Sequence, residues 1–213
     1  MKRTILATLL VCITVFSFGQ SEKFINAMKS NLTQLDSSLR NPAALLKLAN
    51  NFERIAIAEK NQWLPYYYAA FCQVNLGFME QDKDKVDGIA DKANTLIKVA
   101  DSLKPKNSEI SCIKSMIASC HLMVNPMQRW MEFGQASSSN MTEAMDLDPS
   151  NPRPYFLKGQ SLKYTPEQFG GGCKTAKPQF EEALARFQKF KPASDMDPNW
   201  GMNATKQLIA DCK

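Results

Sequence analysis

The sequence predicts an all-α fold, an array of about four antiparallel helix pairs closed by a C-terminal capping helix. Apolar residues recur at helical spacing along nearly the whole chain, and strand-type alternation is absent. A proline-centred phrase also returns: SLKPKNSEI around Pro105, DLDPSNPRPY around Pro149 and DMDPNWG around Pro198. Each follows a helical run and opens another, as the punctuation of a helical repeat does. Ala93, Ile97 and Ala100 precede Pro105 at the spacing at which Ser137, Met141 and Ala144 precede Pro149. Small, bulky, small, proline thus recurs at one register.

From Glu22 to Leu39, the residues Phe24, Ile25, Met28, Leu32, Leu35 and Leu39 form one apolar stripe. Asn41 and Pro42 then read as N-cap and first-turn proline of a helix reaching about Glu59, with Leu45, Leu48, Phe52, Ile55 and Ala56 inward. After Trp63, Leu64 and Pro65 comes a helix rich in Tyr66, Tyr67, Tyr68 and Phe71. Val86 to Leu103 turns Ile89, Ala93, Leu96, Ile97 and Ala100 to one side, and Ile110, Ile113, Ile117 and Cys120 resume the stripe after Pro105. Beyond Asn125 and Pro126, the residues Trp130, Phe133, Met141, Met145 and Leu147 carry the chain to Pro149, with a bend expected at Ser137 to Ser139. Tyr155, Phe156 and Leu162 open the next pair. A loop from Tyr164 to Gly172 separates them from Phe180, Leu184, Phe187 and Phe190, and a last helix from Asn199 to about Asp211 caps the stack.

Lys2 and Arg3 precede an apolar run from Ile5 to Phe18, shorter than the roughly 18 to 20 residues of a spanning helix. Residues 1–19 therefore read as an export signal, with cleavage between Gly19 and Gln20, and residues 20–213 as a single repeat domain in the periplasm or outside the cell. Removing the signal lowers the formal charge from +5 to +3. Basic and acidic residues alternate, as in EQDKDKVD from Glu80, so nucleic acid is not an expected partner. No stable membrane insertion is expected after cleavage. Cys12 leaves with the signal, and an odd set remains: Cys72, Cys112, Cys120, Cys173 and Cys212. If bridges form, Cys173 with Cys212 is the favoured pair, because both flank the last hairpin; several buried thiols at helix contacts is the equal alternative.

The chain resembles a tetratricopeptide-repeat protein, most closely over Tyr155 to Pro192. There Tyr155 and Gly159 match the family's first-helix spacing, and Ala176, Phe180 and Ala183 match the second. Together with Ala93, Ile97, Ala100 and Ala144, these are the expected repeat-packing residues, since close helix crossings require small side chains. One departure is length: Pro105 and Pro149 lie 44 residues apart and Pro149 and Pro198 lie 49 apart, against roughly 34 in a standard repeat. The chain is also similar to exported repeat proteins of the Bacteroidota type, which implies a periplasmic or outer-membrane address.

Chemistry is sparse. GGGCKT at Gly170 to Thr175 lacks the glycine positions and the preceding strand of a phosphate loop, so it reads as a connection. His121 is the sole histidine, and Cys112 and Cys120 lack zinc-ligand spacing. No catalytic residue, cofactor or metal is assigned. Trp63, Tyr66, Tyr67 and Tyr68 are too dense for one helix face, so an outward tyrosine is expected to contact a partner. The leading expectation is a non-enzymatic exported scaffold that binds a protein or peptide on its concave face. The alternative is a periplasmic small-molecule carrier, resembling transporter-associated repeat subunits, with an aromatic-lined pocket.

Overall fold

A computed structural model describes residues 22–212. Among them the regular structure is entirely helical: α1 (Glu22–Leu32), α2 (Leu35–Ser38), α3 (Pro42–Ala58), α4 (Trp63–Met79), α5 (Lys83–Leu103), α6 (Ser108–Val124), α7 (Pro126–Arg129), α8 (Gln135–Leu147), α9 (Arg153–Tyr164), α10 (Cys173–Phe187) and α11 (Met202–Asp211). A π-helical turn, Trp130–Gly134, joins α7 to α8, and a 3₁₀ turn, Glu167–Phe169, precedes α10. The expected signal, residues 1–19, lies outside the described residues. None of the described helices is long and apolar enough to cross a membrane.

Side-chain caps set several of the starts. Asn41 accepts from the Ala44 amide with Pro42 in the first turn, and Asn107 accepts from the Glu109 and Ile110 amides. The stripe expected over Glu22 to Leu39 breaks at Thr33, because Asn31, Thr33 and Gln34 side chains turn back onto the carbonyls of Ala27 and Ser30 and offer the backbone a local alternative to the helix. The bend expected at Ser137 to Ser139 lies instead at Trp130–Gly134. There the Trp130 ring occupies the space a Cβ on Gly134 would need, 2.5 Å away. Ser137 meanwhile sits inside regular helix, its hydroxyl 3.0 Å from that of Ser115 and 2.9 Å from that of Ser119.

From α3 to α6 each helix packs on the next; α6 then meets α8, α8 meets α9, and α10 lies between α9 and α11. One apolar cluster runs from Phe24 to Cys212. Helix α4 is its axis, contacting α3, α5 and α6, and every residue from Tyr67 to Val74 is buried. A helix enclosed on all sides needs apolar residues all round, and this one has them. Ala93, Ile97, Ala100, Ala144, Ala176, Phe180 and Ala183 are fully buried. A Cβ on Gly159 would stand 2.5 Å from the Phe180 ring, so the crossing of α9 and α10 uses the absent side chain. Cys173 and Cys212 form a disulfide that ties the start of α10 to the end of α11, while Cys72, Cys112 and Cys120 are buried thiols.

Candidate functional site

Two regions concentrate polar or exposed apolar chemistry, one closed and one open. The closed one is assembled by the three returning phrases. Glu109 stands four residues after Pro105 and Arg153 four after Pro149, and these equivalent positions pair: Arg153 Nη1 donates to Glu109 Oε1 at 2.8 Å. Trp200, two residues after Pro198, donates through Nε1 to the Tyr67 hydroxyl at 2.8 Å, and that hydroxyl donates to Glu109 Oε2 at 3.3 Å. Asn151 Nδ2 donates to Ser108 Oγ and Glu109 Oε1, each at 2.9 Å, and Arg153 Nη2 donates to the Pro198 carbonyl. The repeated punctuation is thus a lock in which each turn holds the next.

Arg153 is completely buried, its guanidinium 5.0 Å from the centre of the Phe190 ring and 5.2 Å from that of Trp200. Aromatic faces stabilise a cation that has lost its water. Burial pushes the Glu109 carboxyl up to about 7, and the opposing pull of Arg153 and of the Tyr67 hydroxyl only partly offsets it. Above this lock lies a cleft of about 680 Å³, lined from all three turns and from the end of α10.

The open region is the edge around α7 and the π turn. Asn125 caps α7 and Pro126 opens it, so the segment leaves α6 at an angle and presents Met127 (81% exposed), Trp130 (52%) and Met131 (71%) to solvent. Its other face is anchored. Arg129 grips Asp87 of α5 through both carboxylate oxygens, at 2.7 and 2.8 Å, and donates to the His121 carbonyl at 3.0 Å. His121 Nδ1 lies 2.7 Å from Asp87 and its ring stacks on Phe133 at 4.7 Å. The Arg129 hydrogen bond, assisted by His121, holds the Asp87 carboxyl down at about 2. With Asp87 on one ring nitrogen and Asp91 3.6 Å from the other, His121 serves as an anchor of this edge.

The expected contact residues lie elsewhere. Tyr67 and Tyr68 are buried, with the Tyr68 hydroxyl donating to the Met196 carbonyl at 2.8 Å, and neither presents a surface to a partner. Trp63 and Tyr66 are half-buried, Trp63 edge-on to Tyr67 at 5.6 Å. The expectation of an outward tyrosine assumed one inward face, whereas α4 is enclosed. Met127, Trp130 and Met131 were missed, although their i, i+3, i+4 spacing opposite Phe133 gives a short segment two apolar faces.

No family profile and no curated protein matches the chain. A solved structure, the HusA haemophore from Porphyromonas gingivalis, matches with a TM-score of 0.79 and 36% identity, over 92% of this chain and 95% of that one. This chain belongs to the HusA haemophore family. A likeness of that identity over nearly the full length of both chains overturns the leading expectation of a scaffold for a protein or peptide. A haemophore is a carrier of a small molecule, which is the class held as the alternative.

Proposed function

We propose that this protein is a haem carrier. The full-length likeness to a haemophore carries the reading. The open edge supports it physically. Haem is a flat apolar macrocycle bearing two carboxylates, and the exposed Met127, Trp130 and Met131 offer an indole for stacking and two deformable thioethers on one short segment. Arg129, Phe133 and His121 fix that segment from behind, so the face is presented without having to be ordered on binding. The ends of the chain belong to the same proposal: export through residues 1–19, cleavage after Gly19, and action in the periplasm or outside the cell as one unit of sequential helix pairs akin to tetratricopeptide repeats. The Cys173–Cys212 bridge suits an oxidising compartment.

The test is titration of the mature protein with haem, followed by the Soret band and by tryptophan quenching. Saturable binding at one equivalent is expected, and Trp130→Ala should weaken it about 10-fold, the loss of one stacked aromatic contact. Absence of saturable binding in the wild type would reject the carrier, and unchanged affinity in Trp130→Ala would move the ligand off this edge.

A further inference from the structure

The sulfur atoms of this protein differ sharply in what an oxidant can reach. Cys173 and Cys212 are already joined, and Cys72, Cys112 and Cys120 are buried thiols. Burial pushes all three thiols up, so they hold little of the thiolate that reacts with oxidants. Met28, Met116, Met141 and Met196 are buried, and the other methionines among the described residues are half-buried, with Met127 and Met131 as the exceptions. Those two are 81% and 71% exposed. Both lie on the open edge, on the short segment that carries Trp130. The oxidisable sulfur of the described residues is thus gathered on the surface assigned to haem.

Gln135 adds a second observation. Its side-chain Nε2 donates toward Met131 Sδ at 3.9 Å. A thioether is a weak acceptor, so this contact stabilises the reduced side chain little. A sulfoxide oxygen on that sulfur is a far better acceptor, and the same amide then favours the oxidised form. The support behind the segment contains no sulfur. Arg129, Asp87, His121 and Phe133 hold it through nitrogen, oxygen and ring contacts, so oxidation alters the face and leaves its anchor in place.

We propose that Met127 and Met131 are the oxidation site of this protein, and that their conversion to sulfoxides by hydrogen peroxide releases haem. The proposal rests on the carrier reading and names a regulation of the same edge. At each sulfur the O–O bond of the peroxide breaks and an S–O bond forms. The sulfur gives up an electron pair, one peroxide oxygen stays on it, and the other leaves with both hydrogens as water. A flexible apolar side chain becomes a polar, chiral one. A sulfoxide loses its hydration when an apolar macrocycle covers it, so the change favours the free protein over the loaded one.

Mature protein is treated with graded hydrogen peroxide, freed of oxidant, mapped by peptide mass spectrometry and titrated with haem. Oxygen is expected first on Met127 and Met131, with the buried methionines unmodified and the melting temperature unchanged. Haem affinity should fall about 10-fold as both sites fill, because two thioether contacts to the ring are lost. Treatment with methionine sulfoxide reductases, one for each epimer, should restore it. The Met127→Leu/Met131→Leu variant, compared with itself before and after peroxide, should show no change in affinity. Oxygen spread evenly over exposed and buried methionines, an unaltered haem affinity once both sites are oxidised, or a loss that the reductases do not reverse overturns the proposal. An equal loss in the leucine variant does so as well, by placing the damage on Trp130 or elsewhere. Absence of haem binding before any treatment rejects the carrier and the release with it, whereas binding that survives full oxidation of both sulfurs rejects the release alone.

Discussion

The lock at Glu109 and the anchor at Asp87 are made of the same parts, an arginine, a carboxylate and an aromatic ring, and behave oppositely. Arg153 and Glu109 have side-chain exposures of 0% and 13%; Arg129 and Asp87 have 28% and 37%. In the buried pair, loss of water dominates and raises the carboxyl to about 7; in the open pair, the arginine hydrogen bonds dominate and lower it to about 2. Ion pairing by itself therefore predicts neither the sign of the shift nor the value of the pair to stability. Solvent access decides both, and it follows from which part of the helix array each turn faces.

The largest effect that could break this contrast is expected from Arg153→Met. Removing one partner leaves a buried carboxylate uncompensated, a loss of about 3 to 5 kcal/mol at pH 8. Because Glu109 can take up a proton, the loss should shrink at pH 5, and adding Glu109→Gln should restore much of it. Urea midpoints at the two pH values measure this. A loss below about 1 kcal/mol would mean that the lock is not a unit.

The pH dependence sharpens the contrast. Glu109 has an ordinary value of 4.5 and about 7 in the fold, so the folded state binds the extra proton and stability falls as pH rises from 4.5 to 7. Asp87 has an ordinary value of 3.8 and about 2 in the fold, so its contribution is full above about 4 and is lost as pH falls toward 2. Thermal melts of Glu109→Gln should lose the decline between 4.5 and 7, while those of Asp87→Asn should lose the drop below 4. Identical profiles in both variants would show that the two carboxylates share one environment. At pH 7 the Asp87→Asn change itself is expected to cost about 1 kcal/mol or less, as for other partly exposed pairs.

The smallest stability effect belongs to Trp130→Ala. Half its surface already lies in water, so its removal should change stability by no more than about 0.5 kcal/mol even as haem binding weakens. A loss above 2 kcal/mol would make Trp130 a structural strut of the π turn rather than part of a binding face.

Much of the helix layout was legible because its signals are local. Asn41 and Asn107 cap the helices they precede, and Pro42 just after the one and Pro105 just before the other mark the turns, since a cap or a proline acts on its own few residues. The stripe across Thr33 and the serines at 137 to 139 were misread for one reason. Which side chain bends a helix depends on what it meets: Thr33 and its neighbours find their own carbonyls, whereas Ser137 finds Ser115 and Ser119 on α6. The candidate site was less legible. Periodicity identifies an apolar face but not whether that face is covered, so an outward tyrosine was expected on α4 and Trp130 was not singled out from its helical run.

The amino-acid order by itself determined the helices, the turns between them and the recurrence of Glu109 and Arg153 at one position of successive phrases, because each depends on short-range backbone chemistry. Only the tertiary structure decided that those two side chains meet, that α4 is enclosed and that Met127, Trp130 and Met131 are left in water. Pairing and exposure depend on residues distant in the chain, and the free energy of moving a charge or a ring out of water is set by those neighbours rather than by the residue itself.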